Sequence, residues 1–273
     1  MKLGTMVEIT NPLQCDEKLK KLKELGFDTC QLKYKPEVFR KEDAEIIKAS
    51  ADKYGIDICS IFAGFGDANL RWDTLYGHRT IGIGILAYQA QRIEYMRKTA
   101  EFASMLGIKE MIIHAGFVPN DPLCEDYANI RTAVSLLADY LHELDMDLLL
   151  ETGCETPIVL RGLIEDIGKD NIFINFDPAN ILMYGYGNPN DALKVFGKYV
   201  RNMHGKDGCL PTKPFTLGEE KPMGEGMVDF KTAFNQLKEY GYDRYVIIER
   251  EISGEEQIAD ILKAKKYIES LGV

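Results

Sequence analysis

The chain has 273 residues with 33 basic and 43 acidic side chains, a net charge of −10, and an isoelectric point near 5.1. Hydrophobic residues make up 45% and charged residues 28%, enough apolar material for a sizeable core. That balance argues against a nucleic-acid or membrane-surface binder, and no apolar run approaches the roughly 18–20 residues of a membrane helix.

In chain order, Met1 to Glu8 lacks the apolar segment of a signal peptide. Leu3–Ile9 reads as a first strand, followed by an amphipathic helix, Glu17–Leu25, with Leu19, Leu22 and Leu25 set among lysines. A recurring junction then appears. A helix ends in glycine, and a short β-rich run follows, as at Gly26, Gly55, Gly107, Gly168, Gly197 and Gly241; Leu144-Asp145-Met146 makes the same junction without glycine. The runs after these junctions are Cys30–Tyr34, Asp57–Phe62, Glu110–His114, Asp147–Glu151, Ile172–Asp177, Val200–His204 and Tyr245–Glu249. Several are continuously apolar, as parallel strands covered on both faces must be. The last helix spans Glu255–Leu271. Two intervals are longer than the rest. Ala63 to Gln89 carries Phe65, Trp72 and His78, and Asp207 to Val228 is rich in Gly, Pro and Lys.

Eight alternating βα units predict an α/β fold, a (β/α)8 TIM barrel rather than an open doubly wound sheet. No linker or low-complexity tract divides residues 1–273, so a single domain is expected. Both long intervals follow strands and fall on the C-terminal face, where barrel active sites form. The six cysteines, Cys15, Cys30, Cys59, Cys124, Cys154 and Cys209, show no CxxC pairing and read as reduced thiols of a cytoplasmic protein.

The chemistry lies at the strand ends. Glu151, Asp177, His204 and Glu249 each end one of four successive apolar strands, so a closed barrel brings them to one rim. Three converging carboxylates repel unless a cation lies between them. An O/O/N/O donor set suits one divalent metal ion, Mn²⁺ first, with Mg²⁺, Co²⁺ or Zn²⁺ as alternatives. Near this rim, His114 ends the fourth strand and Lys206 lies two residues past His204, able to neutralise an oxyanion or pair with Asp207. Trp72 and Phe65 could stack on a ring, while Glu8, Gln31 and Lys33 could point into the mouth with nothing to select them. Gly224-Glu225-Gly226 does not complete a phosphate loop.

The stretches Leu149-Leu150-Glu151-Thr152, Asn175-Phe176-Asp177-Pro178-Ala179-Asn180, Met203-His204-Gly205-Lys206-Asp207, Gly224–Phe230 and Ile248-Glu249 resemble the xylose isomerase-like TIM-barrel superfamily, in its sugar phosphate isomerase/epimerase branch. The resemblance to ketose 3-epimerases implies a metal held by Glu151, Asp177, His204 and Glu249, with Glu151 and Glu249 also the catalytic acid/base pair. It implies removal of a proton α to a carbonyl through a metal-stabilised cis-enediolate, on a small-molecule carbohydrate. Return to the same carbon epimerises, and return to its neighbour interconverts aldose and ketose. The same enolate could instead expel a β-leaving group, giving a dehydratase or lyase on a keto-sugar or inosose. Homo-oligomers, dimers or tetramers, are common among such relatives.

The sugar-contacting positions depart from those epimerases. Asn180 stands where they carry His. Pro157 stands where they carry Glu, with Glu155 nearby, and Leu210 stands where they carry Arg, between Lys206 and Lys213. His114, Asn180, Lys206, Glu155 and Trp72 are therefore the expected substrate contacts. An endonuclease IV-like phosphodiesterase fits badly with four histidines and an acidic chain. A non-enzymatic sugar-binding barrel would leave three converging carboxylates without a task.

Overall fold

The computed structural model describes residues 1–35, 38–67 and 70–273. Eight parallel strands, β1 (Lys2–Ile9), β2 (Thr29–Tyr34), β3 (Asp57–Phe62), β4 (Glu110–Ile113), β5 (Asp147–Glu151), β6 (Ile172–Phe176), β7 (Val200–Gly205) and β8 (Tyr245–Ile248), pair in chain order. The sheet closes where Lys2 to Thr5 pair with Tyr245 to Ile248. Helices α1 (Cys15–Glu24), α2 (Lys41–Tyr54), α3 (Leu86–Met105), α4 (Glu125–Glu143), α5 (Pro157–Ile167), α6 (Pro189–Phe196), α7 (Phe230–Glu239) and α8 (Glu255–Ser270) follow the strands in turn. This is the expected single-domain TIM barrel.

Apolar patterning explains the layers. Met111, Ile112, Ile113, Leu148, Leu149 and Leu150 have no exposed surface, because one face of each strand meets the barrel interior and the other meets helices. Leu19 and Leu22 bury one stripe of α1 beneath its lysines. At the helix ends, Gly26, Gly55, Gly107, Gly168 and Gly241 adopt positive φ, and Asp145 takes the same left-handed turn at φ 56°. Gly197 differs. Its φ is −51° and it runs into a 3₁₀ turn. Glycine serves there because the Tyr240 ring occupies the space of a Cβ, 2.3 Å away.

Three predicted strands end one residue early, leaving His114, Asp177 and Glu249 just beyond the last paired positions of β4, β6 and β8. Beneath them the interior departs from the usual branched apolar filling. Gln31, Ser60, Asn175 and Asn202 form a polar layer with no exposed surface. The six cysteines are free thiols. Among the described residues, no helix is long and apolar enough to cross a membrane.

Candidate functional site

Glu151, Asp177, His204 and Glu249 meet at the C-terminal mouth, with one ligand atom from each within 4.8 Å of the others. His204 Nδ1 lies 3.0 Å from Glu151 Oε1, 3.5 Å from Asp177 Oδ2 and 3.0 Å from Glu249 Oε2. Each of the four side chains is at least nine-tenths buried. Even so, Glu151 Oε2, Asp177 Oδ2, His204 Nδ1 and Glu249 Oε2 make no hydrogen bond. A buried polar atom without a partner costs about 1–3 kcal/mol, and three of these, Asp177 Oδ2, His204 Nδ1 and Glu249 Oε2, meet Glu151 Oε1 in a cluster that fits a divalent cation.

The local sequence fixes these positions. Asp177 caps the short helix Pro178–Met183, its Oδ1 accepting from the Asn180 amide at 2.9 Å, which leaves Oδ2 for the centre. Asp177 N donates to Thr152 Oγ1, and that hydroxyl donates to Asp177 O, both at 2.8 Å, locking the ends of β5 and β6 together. Burial pushes the Asp177 carboxyl up to about 6. Burial also acts against ionised Glu249, but Lys206 and His204 outweigh it and hold the carboxyl well below its usual range.

The four residues divide by access. Glu151 and Glu249 line a cavity of about 750 Å³, shared with Trp72, His114, Asn180 and Tyr184, among others. Asp177 and His204 have no exposed surface. His114 Nε2 reaches Glu151 Oε2 at 3.2 Å, with the Trp72 ring 5.0 Å from its own. Asn180 bridges the site, its Nδ2 donating to Glu151 Oε1 and its Oδ1 accepting from Lys206 Nζ, both at 3.3 Å.

Lys206 and Glu155 are not among the residues that line this cavity. Lys206 is buried, its ammonium 3.0 Å from Glu251 Oε1, 3.5 Å from Glu249 Oε2 and 3.7 Å from Asp177 Oδ2. It does not pair with Asp207. The Asp207 carboxylate is taken up by four backbone amides: Gly208 and Val228 on Oδ1, Gly224 and Gly226 on Oδ2, at 2.8–3.1 Å. The Gly224-Glu225-Gly226 segment is thus a tether, not a phosphate cradle. A Cβ at Gly226 would sit 2.1 Å from Asp207 Oδ1, which is why the close approach requires glycine. Glu155 lines a separate cavity of about 540 Å³ with Cys154, Phe117 and Tyr186.

Sequence reasoning did not single out the layer beneath the centre. Gln31 Oε1 lies 3.2 Å from His204 Nε2, from Ser60 Oγ and from Asn202 Nδ2. Asn202 Nδ2 also donates to Asn175 Oδ1 at 2.8 Å. The available signal was an amide between buried apolar neighbours, in Cys30-Gln31-Leu32 and Ile174-Asn175-Phe176.

Comparison with known proteins agrees with this fold. The sequence pattern of the xylose isomerase-like TIM barrel matches residues 19–271. An L-ribulose-5-phosphate 3-epimerase UlaE of Salmonella typhi is 26% identical over 268 residues, covering 93% of this chain and 88% of that protein. An inosose dehydratase of Lacticaseibacillus casei is 25% identical over 167 residues, and the match spans only 55% of that protein's length. Among solved structures, a xylose isomerase domain protein from Planctomyces limnophilus superposes with a TM-score of 0.91 at 30% identity, covering 99% of this chain and 96% of the other. D-psicose 3-epimerase, at TM-score 0.72 and 16% identity over 99% of both chains, shares the fold. The chain therefore belongs to the xylose isomerase-like TIM-barrel family.

Proposed function

We propose that this protein is a divalent-metal-dependent isomerase that epimerises a keto-sugar by proton transfer α to its carbonyl, with Glu151 and Glu249 as the acid/base pair. The observation that carries the reading is the convergence of four buried ligand atoms, three of which, Asp177 Oδ2, His204 Nδ1 and Glu249 Oε2, make no hydrogen bond. Bound there, a divalent cation would polarise the substrate carbonyl and offset the charge that develops as the α proton leaves. Glu151, Asp177, His204 and Glu249 would hold it, with Mn²⁺ favoured by the mixed donor set.

The chain's own residues supply the remaining roles. Glu151 and Glu249 are the two members of the set that line the cavity. Three strand positions separate them around the barrel, so their carboxylates approach a bound carbon from opposed sides. One takes the proton on its carboxylate, and the other returns a proton to the opposite face, inverting the carbon. Asp177 and His204, closed off from solvent, keep the donor set in place. His114 and Asn180 steady the Glu151 carboxylate, and Trp72 walls the sugar on the outer side. The 3-epimerase UlaE among the relatives supports this chemistry.

Glu151→Gln and Glu249→Gln, assayed for exchange of substrate hydrogen in D₂O across a panel of ketoses with Mn²⁺, test the assignment. Each should lower exchange by roughly 10²-fold or more. Metal content measured in parallel tells loss of the base from loss of the ion. Undiminished exchange in both variants overturns the pair. The inosose dehydratase among the relatives favours a second reading, loss of water from the same enolate. A product lighter by one water, instead of an epimer, would establish it.

A further inference from the structure

His204 faces two environments. Its Nδ1 looks at the three carboxylates, and a cation held among them requires a lone pair on that nitrogen. A neutral imidazole then carries its proton on Nε2. Two groups meet Nε2, Gln31 Oε1 at 3.2 Å and Asn175 Nδ2 at 3.1 Å. The first is an acceptor and the second a donor, so only Gln31 can take the Nε2 proton, while Asn175 serves the opposite tautomer.

The Gln31 oxygen is aimed by residues away from the metal-facing donors. Ser60 Oγ and Asn202 Nδ2 each donate to it at 3.2 Å, and Gln31 Nε2 has no partner. Reversing the amide would turn its NH₂ group on these donors. Gln31 has no exposed surface and reaches from β2 across the barrel interior to β7.

We propose that Gln31 is a positioning residue of the metal centre: its carbonyl oxygen fixes His204 as the Nε2–H tautomer, so that Nδ1 presents its lone pair to the cation. This rests on reading the four residues as a metal site. Outer partners of a ligating histidine commonly set its tautomer and basicity, and their loss weakens metal affinity roughly tenfold to a hundredfold.

Calorimetric titration of the metal-stripped protein with MnCl₂ tests it in wild type, Gln31→Met and Gln31→Glu. Gln31→Met fills the same space without an acceptor and should lose roughly tenfold to a hundredfold in affinity. Gln31→Glu keeps an acceptor oxygen and should recover most of that loss. In Zn²⁺-loaded wild type the His204 Nε2–H proton should exchange slowly with water, and in Gln31→Met it should broaden. Equal affinities in wild type and Gln31→Met overturn the proposal, as does a loss that Gln31→Glu leaves unrestored. A wild type that binds no Mn²⁺ overturns the metal reading itself, and with it the role of Gln31.

Discussion

At the scale of single residues, Glu155 shows what burial does to a carboxyl without a cation. Burial pushes it up to about 8 from an ordinary 4.5, against one hydrogen bond from the Gly153 amide at 3.3 Å. The folded state therefore favours the protonated form. Its contribution to stability is fully present below about pH 4.5 and is lost as pH rises through 8. Glu155→Gln cannot ionise, so it should melt above wild type at pH 9, by roughly 2–5 kcal/mol in unfolding free energy, with the difference closing toward pH 4.5. Thermal unfolding at both pH values checks this, and an equal difference at the two would refute it. The four clustered residues were legible in the sequence because each interrupts or ends an apolar run at the same point of a repeating unit. Gln31 was visible but not interpretable. An amide inside a strand looks the same whether it satisfies a core or orients a histidine 173 residues away.

Individual elements were legible to the extent that local chemistry decides them. Helix-ending glycines marked five of the turns, and Asp145 was recognisable from its position because aspartate tolerates the left-handed conformation. Gly197 looked identical in sequence and serves a different purpose, since the Tyr240 ring that excludes a side chain arrives from a distant helix end. The segment after β7 was readable only as a long loop. Its organisation depends on Asp207, whose carboxylate holds both the start and the end of the excursion. Between those anchors, residues 212–216 are exposed, whereas Leu217 lines the cavity. Replacing 212–216 with glycine and serine should leave Mn²⁺ affinity unchanged and alter unfolding free energy by under about 1 kcal/mol. Titration calorimetry and thermal unfolding read both quantities, and a lost metal site would show that the tether does not insulate the loop.

For the molecule as a whole, three carboxylates and one histidine share the mouth of the barrel, with the buried ammonium of Lys206 beside them. A ligand bound only by the folded state stabilises it by mass action. At a free cation concentration 100-fold above its dissociation constant the gain is about 2.7 kcal/mol, roughly 5 °C for a chain of this size. Stripping with a chelator should lower the melting temperature by that amount, and Mn²⁺ should restore it. A melting temperature indifferent to both treatments would count against the centre. The order of the strands carries one more consequence. All four donors come from β5 to β8, and the barrel closes only when β8 pairs with β1. During synthesis the growing chain therefore has no complete donor set until β8 has been made, and a product truncated before Glu249 lacks one of the four donors.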